Sequence, residues 1–482
     1  SSLTGIAATN WITNNVTANS STTTVNLSLG NVVKFTQSAN TTVSFANTGT
    51  SNIVTFIRTK DDTSTERTIT WPSSIKWDGG SAPTLNTAST TNDANVITLL
   101  TRDEGVTWYG WETISFAGGY QMWVCGGNEV GGQVGLNLGP SDVAGYSSPV
   151  QIPGTTWFAI PNGQYTYGSG AIKSDGTLWF WGKNDRGQLG QNAGGSPTAL
   201  SSPTQVGSGT NWKNLSNSSQ SVMAVKTDGT LWAWGNNNDG NLGVNDRTDR
   251  SSPTQIPGTT WGTSKEKFAL SPSQSMAIRT DGTLWTWGNN YRGELGQNQF
   301  DNPTHRSSPV QIPGTDWDKV SQGGHKAAIK TDGTLWTWGN NGSGNLGHNS
   351  RVDYSSPVQV PGTTWRSVFV AGGNSFATRT DGTLWAWGEN GYGDLGLNTQ
   401  GESYSSPVQV PGTNWSSTIS TNGSFVVATK TDGTLWAWGA NHKGPLGQNN
   451  RTKYSSPVQI PGTGWTDVFA GGETTMYALK SP

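Results

Sequence analysis

The sequence predicts an all-β protein: a seven-bladed β-propeller closed by its C-terminal strands, preceded by an N-terminal domain of β-sandwich or jelly-roll type. Three observations carry this reading. Asp-Gly-Thr-Leu-Trp-x-Trp-Gly recurs at Asp175, Asp228, Asp281, Asp332, Asp381 and Asp432, in steps of 53, 53, 51, 49 and 51 residues. The tandem array is incomplete at both ends, and the two ends complement each other. The first quarter lacks the repeat but alternates in short β-prone runs.

In one copy, Ala377-Thr378-Arg379 leads through Thr380-Asp381-Gly382 into Thr383-Leu384-Trp385-Ala386-Trp387-Gly388. Asp-Gly between two β-prone runs predicts a hairpin with a type I′ turn, which needs positive φ at both central residues. Trp385 and Trp387 share one face and Leu384 and Ala386 the other, so the strand is expected to be buried on both sides. Gly393-Asp394-Leu395-Gly396 is a tight turn. Pro407 and Pro411 suit an edge strand or a loop. No helical period is apparent, and each unit reads as a small antiparallel sheet.

Parts of the repeat can be counted separately. Trp-x-Trp-Gly occurs six times intact and once degenerate, as Trp123-Val124-Cys125-Gly126. Ser-Ser-Pro-x-Gln occurs at Pro149, Pro203, Pro253, Pro309, Pro357, Pro407 and Pro457, and a third Trp at Trp157, Trp212, Trp261, Trp317, Trp365, Trp415 and Trp465. The first copy lacks the strand before the turn, and the last copy ends on that strand, at Ala478-Leu479-Lys480. Two partial units that sum to one whole unit predict a ring rather than an open solenoid. Cys125 stands where other copies carry Trp, so it is expected to be a buried, unreactive thiol.

Residues 116–482 resemble the regulator-of-chromosome-condensation repeat family through the Leu-Trp-x-Trp-Gly strand, the following Asn and Gly-x-Leu-Gly, and Gly372-Gly373-Asn374-Ser375-Phe376-Ala377. The resemblance implies a seven-bladed propeller with a terminal strand clasp. It is weak for function, since members include an exchange factor for the small GTPase Ran, ubiquitin-ligase modules and bacterial β-lactamase inhibitors. Repeat spacing leaves no room for a long projecting insertion of the kind that the exchange factor uses.

Residues 1–115 are assigned to the first domain. Val25–Leu29, Val43–Phe45, Ile53–Ile57, Thr68–Trp71, Val96–Leu100 and Thr107–Trp111 read as strands punctuated by Gly, Pro, Asn and Asp. Trp71-Pro72, Trp77-Asp78-Gly79-Gly80, Pro83-Thr84-Leu85, Val96-Ile97-Thr98-Leu99 and Gly105-Val106-Thr107-Trp108-Tyr109-Gly110 are similar to β-domains of bacteriophage tail-fibre and virion structural proteins, cyanophage-like ones above all. That resemblance implies attachment to a virion through other virion proteins, and possible homo-oligomerisation as a trimer.

Composition narrows the function classes. The net charge is −2 and only 12% of residues are charged. No basic stripe for nucleic acid is visible and no apolar run reaches membrane-spanning length. The single Cys excludes an intrachain disulfide. Gly342/Gly344/Gly347 and Gly391/Gly393/Gly396 match a dinucleotide fingerprint but fall at the repeat's turn and open no helix. His305, His325, His348 and His442 lie in different repeats without ligand spacing, so no metal is expected. No catalytic residue and no cofactor are predicted, and the chain reads as a non-enzyme.

Variation concentrates after each Trp-Gly. The position before Ser-Ser-Pro reads Tyr146, Leu200, Arg250, Arg306, Tyr354, Tyr404 and Tyr454. With the less regular Tyr291 and Tyr392, and Phe300 and Arg247 beside them, Tyr146, Arg250, Arg306, Tyr354, Tyr404 and Tyr454 form the candidate binding ring, because aromatic and Arg side chains dominate binding hot spots. The alternative is that the ring fills gaps between blades. The resulting expectation is a bacteriophage virion structural protein, a fibre or appendage on the virion surface, whose propeller recognises a host-surface glycan or protein. The alternatives are a capsid decoration protein and a secreted bacterial inhibitor or adhesin.

Overall fold

The computed structural model describes residues 13–18, 21–26, 32–37, 41–46, 52–60, 69–77, 94–101, 108–116, 119–128, 132–139, 145–163, 168–193, 199–300, 304–472 and 474–481. The chain divides into two compact units, Ser1–Gly119 and Tyr120–Pro482.

In the first unit, strands alternate between two sheets. Thr13–Ala18, Val32–Gln37 and Asn52–Lys60 pair in parallel in a six-stranded sheet completed by Ala94–Thr101, Trp108–Phe116 and Ile75–Trp77. Thr22–Asn26, Thr41–Ala46 and Ile69–Thr70 pair in parallel in a three-stranded sheet. Val33 and Leu99 from the larger sheet meet Val25 and Val43 from the smaller in one core. Thr23 and Thr41 join their hydroxyls across the smaller sheet at 2.9 Å. This corrects the jelly-roll expectation, since a jelly roll is antiparallel. A parallel pair needs a crossover, and here each strand of one sheet is the crossover for the other. The segments Asp78–Leu85 and Gly105–Thr107 named above lie outside the described residues.

In the second unit, five repeats form discrete four-stranded antiparallel sheets, running Trp212–Gln255, Phe268–Ile312, Trp317–Val360, Trp365–Val410 and Trp415–Ile460. The remaining strands join in one seven-stranded sheet. The expectation of seven separate blades is therefore corrected to five discrete blades plus this joined sheet. The cause is the 14-residue strand Tyr146–Ala159. Its first half pairs with Tyr120–Gly126 and its end with Gly168–Lys173, so one strand serves two units. Thr475–Lys480 pairs with Tyr120–Gly126 in that sheet, Gln121 against Lys480 through Gly126 against Thr475. The last strand thus lies between the N-terminal Tyr120–Gly126 and the C-terminal Trp465–Gly471.

The core lies in layers between consecutive repeats. In one layer, Ile329, Leu335 and Val360 of one repeat pack against Trp365, Val368 and Trp387 of the next. The second Trp of each Trp-x-Trp-Gly is buried and donates its indole N–H to a backbone carbonyl of the preceding repeat: Trp181 to Gln133, Trp234 to Gln188, Trp287 to Asn241, Trp338 to Glu294, Trp387 to Asn345 and Trp438 to Asp394, at 2.8–2.9 Å. The first Trp is only half-buried. It differs from the expected two-sided burial because it lies beside the outermost strand, Trp385 opposite Gln409.

The turn also differs in detail. Gly382 has φ +78 while Asp381 is not in the positive region. The Gly382 N–H donates to Arg379 O, and the Arg379 N–H to Thr383 O. This is a type I turn closed by a glycine bulge rather than type I′. Asp381 Oδ1 accepts the Thr383 N–H at 2.9 Å and its hydroxyl at 2.7 Å, and Thr383 Oγ1 accepts the Trp385 indole N–H at 2.9 Å. The Thr383 hydroxyl and amide hold the Asp381 carboxyl below its usual range. A turn, a strand and an aromatic wall are therefore fixed by one local chain of hydrogen bonds.

Candidate functional site: the loop face of the propeller

The loops after Trp-Gly are built on a buried Asn. Asn290 Oδ1 accepts the Leu295 N–H at 2.9 Å, and its amide donates to Gln299 O at 3.0 Å and to Thr304 Oγ1 at 2.8 Å. Asn237, Asn341, Asn390 and Asn441 repeat the bond to the Leu amide. Neighbouring loops are tied by ion pairs, Arg292 to Asp353 at 3.2 Å and Arg186 to Asp249 at 3.5 Å. Such a scaffold is pre-ordered, which lowers the entropy that binding must overcome.

The predicted ring residues share one end of the sheets. Tyr146, Arg250, Arg306, Tyr354, Tyr404 and Tyr454, like Leu200, head the outer strands, opposite Gly126, Gly235, Gly288, Gly339, Gly388, Gly439 and Gly182 respectively. All are half-buried. Tyr404 packs against the cores of two repeats, and Tyr146, Tyr354 and Tyr454 each against one. Tyr404 Oη donates to Glu402 at 3.0 Å, and Tyr454 Oη accepts from Asn450 at 3.1 Å. Arg250 is held by Asp246 at 2.5 Å and Thr248 O at 2.9 Å, and Arg306 by His305 O at 3.2 Å. The ring thus has a packing role.

Tyr291, Tyr392 and Phe300 are different: they are 53%, 45% and 47% exposed. They sit on the same loops, and the two tyrosines stand on histidines, Tyr291 edge-on to His305 at 4.6 Å and Tyr392 edge-on to His442 at 6.0 Å. Burial and the Arg247 charge depress the His305 pKa, so His305 supports Tyr291 as a neutral ring. His348 bonds Thr337 Oγ1 at 2.9 Å, and His325 bonds Ser375 Oγ at 2.6 Å. Burial pushes the His325 pKa down to about 3. The four histidines therefore serve separate local contacts. Among the described residues, no three His, Cys, Asp or Glu side chains form a metal-binding group. Gly344 and Gly347 close successive turns, on Asn341 O and Gly344 O, which accounts for the glycine spacing.

Sequence reasoning missed the 3₁₀ turn Lys265–Lys267. It borders a central cavity with Ala269, Val320, Val368, Phe369 and Ile419. Lys265 bonds Asp467, Glu266 pairs with Lys319 at 3.1 Å and Lys267 with Asp318 at 2.6 Å. The signal was present: Trp261 to Ala277 spans 16 residues, against 11–14 for the same pair in the other repeats.

A family model described as RCC1-like domain matches residues 121–477, about three quarters of the chain. The chain belongs to the RCC1-like domain family. Its sequence is similar to the Arabidopsis thaliana ultraviolet-B receptor UVR8, 29% identical over 38% of this chain and 41% of the receptor. It is similar to the human E3 ubiquitin-protein ligase HERC2, 30% identical over 37% of this chain and 4% of the ligase. The chain thus spans less than half of these relatives. In structure it resembles human WBSCR16, TM-score 0.64 at 19% identity over 75% of this chain and 99% of that one. It also resembles yeast RCC1 (Prp20), solved with Kap60, TM-score 0.64 at 18% identity over 76% of this chain and 90% of that one. At such identity the likeness is one of fold. These RCC1-like relatives carry no phage or virion link, which corrects the reading of the chain as a virion fibre, appendage or decoration protein. The phage-like resemblance of the N-terminal unit has no counterpart among them.

Proposed function

We propose that this RCC1-like propeller is a non-enzymatic binding module that grips a macromolecular partner, a protein surface, through its loop face. One observation carries the reading. Among the described residues, large side chains are mostly buried, yet Tyr291 and Phe300, Val352, and Tyr392 stand exposed on the loops of three successive repeats, each loop held by a buried Asn side chain. Aromatic anchors on a rigid base are the usual centre of a protein interface. The repeated Asp residues are occupied with their own turns, so they leave no carboxylate pair for acid–base chemistry. The match to HERC2 is confined to 4% of that ligase, which agrees with the propeller being a separable recognition part.

The test is a quantitative capture from source-cell extract by the parent and by the Tyr291→Ala/Tyr392→Ala variant, matched for thermal midpoint. A stoichiometric partner held by the parent and at least tenfold depleted on the variant supports the proposal. The same partner held equally by both removes it.

A further inference from the structure

Three clefts of one design recur between repeats, beside the outermost strands. The first, about 460 Å³, is lined by Gln191, Asn192, Lys226, Trp232, Ser252 and Pro253. The second, about 320 Å³, has Gln297, Asn298, Lys330, Trp336, Ser356 and Pro357. The third, about 380 Å³, joins the two ends of the array through Gln448, Asn449, Lys480, Trp123, Ser148 and Pro149. These volumes suit a small ligand or one residue of a polymer.

Each cleft has the same chemistry. Its indole is half-buried, so part of the ring is open. An ammonium lies over that ring, 4.5 Å from Trp232, 5.0 Å from Trp336 and 5.9 Å from Trp123. The Gln amide N–H₂ is spent on two backbone carbonyls in every case: Gln191 on Leu189 and Gln205, Gln297 on Leu295 and Gln311, Gln448 on Leu446 and Gln459. Its Oε1 is left as an acceptor. In the third cleft Asn449 Oδ1 accepts the Ser148 hydroxyl at 3.3 Å, which leaves the Asn N–H₂ to donate. The buried indole N–H of Trp465, in the same cleft, has no hydrogen-bond partner. At the Gln position the other repeats carry Leu136, Val244, His348 and Leu397. The amide is therefore not required by the fold.

We propose that these clefts bind sugar rings of an acidic polysaccharide. The indole face takes the C–H side of a pyranose. Gln Oε1 and Asn N–H₂ take hydroxyls, and the Lys226 and Lys480 ammoniums take a carboxylate, whereas Lys330 in the second cleft is already paired with Asp316 at 3.2 Å. Three clefts spaced around one rim favour a long polymer, since a chain bound at one site is presented to the next at high effective concentration. The cleft lining differs from the exposed aromatics of the loop face, although Gln297 and Asn298 follow Tyr291 in the same loop.

The test is affinity electrophoresis of the whole chain through gels containing polygalacturonate, with dextran of matched size as the neutral comparison. Retardation by polygalacturonate alone is expected. The Gln191→Leu/Gln297→Leu/Gln448→Leu variant installs the residue that two sister repeats already carry, so it should keep the parent's thermal midpoint. It should lose at least tenfold in apparent affinity. Unretarded parent, equal retardation by dextran, or undiminished retardation of the folded triple variant would each overturn the proposal. Should the triple variant fail to fold, indole N–H shifts of Trp123, Trp232 and Trp336 in the parent on adding trigalacturonate decide the matter: shifts support it, and their absence overturns it.

Discussion

Cys125 Sγ donates to Pro445 O at 3.3 Å, across 320 residues of sequence. Pro445 occupies the place in its turn that Gln133, Gln188, Asn241, Glu294, Asn345 and Asp394 hold in theirs, and each of those carbonyls receives a Trp indole. The degenerate copy therefore keeps the inter-repeat bond while changing the donor. Asn449 adds a second tie across the same junction, its N–H on Ser147 O at 2.7 Å, as Asn192 does on Ser251 O at 2.8 Å. The ends of the array meet by the same contacts that join its middle.

From this follows a test of closure by thiol chemistry. Cys125 is fully buried, and burial pushes its thiol pKa up. In the intact chain it should resist a thiol reagent such as DTNB except through unfolding. Deleting residues 475–482 removes a strand that is paired on both sides, with Met476, Tyr477, Ala478 and Leu479 all buried. The truncated chain should react at least a hundredfold faster and lose its cooperative melt. A truncation that keeps the thiol protected and the midpoint unchanged would contradict closure through this strand.

The two classes of tyrosine on the loop face should separate cleanly on mutation. Tyr404→Ala empties a space shared by two repeat cores and frees Glu402, so it should cost about 2 kcal/mol. Tyr392→Ala should change stability by no more than about 0.5 kcal/mol, because the ring stands in solvent. Denaturant titration of both variants checks this. If Tyr392→Ala proves the costlier, its exposed ring is structural and the loop face loses an anchor.

Much of the propeller was legible because its determinants are local and repeated. Asp381, Gly382, Thr383 and Trp385 make their bonds within four residues of one another. The pairing of the two ends was legible from the missing strand. The joined sheet was not, since Pro153-Gly154-Thr155-Thr156-Trp157 has the same residues as Pro361-Gly362-Thr363-Thr364-Trp365, yet only the first continues a strand. That difference is tertiary. Strand direction in the first unit was equally hidden, because short alternating runs look the same whether neighbours pair or alternate between sheets. For the candidate site, the position before Ser-Ser-Pro falls at the loop end of the sheets, where its side chains also pack against the repeat cores. The exposed Tyr291 and Tyr392 were the irregular ones, and irregularity is what a binding surface adds to a repeat.

Glycine at the turn before each clasp should be intolerant in proportion to its surroundings. Gly347 has φ +80, and a Cβ there would lie 2.9 Å from Trp387 Nε1, the atom that donates to Asn345. Gly401 has φ +85 with nothing within 4 Å. Gly401→Ala carries only the left-handed backbone cost, about 1 kcal/mol. Gly347→Ala adds displacement of the indole and should cost about 2–4 kcal/mol. Equal midpoints in urea for the two variants would mean that the Trp387 clasp yields without loss.

Asp394 gives the propeller a defined acid dependence. Its carboxyl is 1% exposed and receives the Tyr392 N–H at 3.1 Å and the Asn374 amide. Burial raises its pKa from 3.8 to about 7. A raised carboxyl holds a proton in the folded state that the unfolded chain releases, so its contribution is complete below about pH 4 and is lost as pH rises through 7. Asp394→Asn should abolish that slope, and Asn241 and Asn345 already occupy the same place in sister turns. His325, whose pKa is pushed down to about 3, destabilises in the opposite direction as pH falls below 6.5, but it does so in both proteins and cancels in the comparison. Unfolding free energies measured from pH 4 to pH 8 should show the parent losing up to about 4 kcal/mol relative to the variant. Parallel curves would mean that Asp394 stays ionised in the fold, with the Asn374 amide and the Tyr392 N–H outweighing its burial.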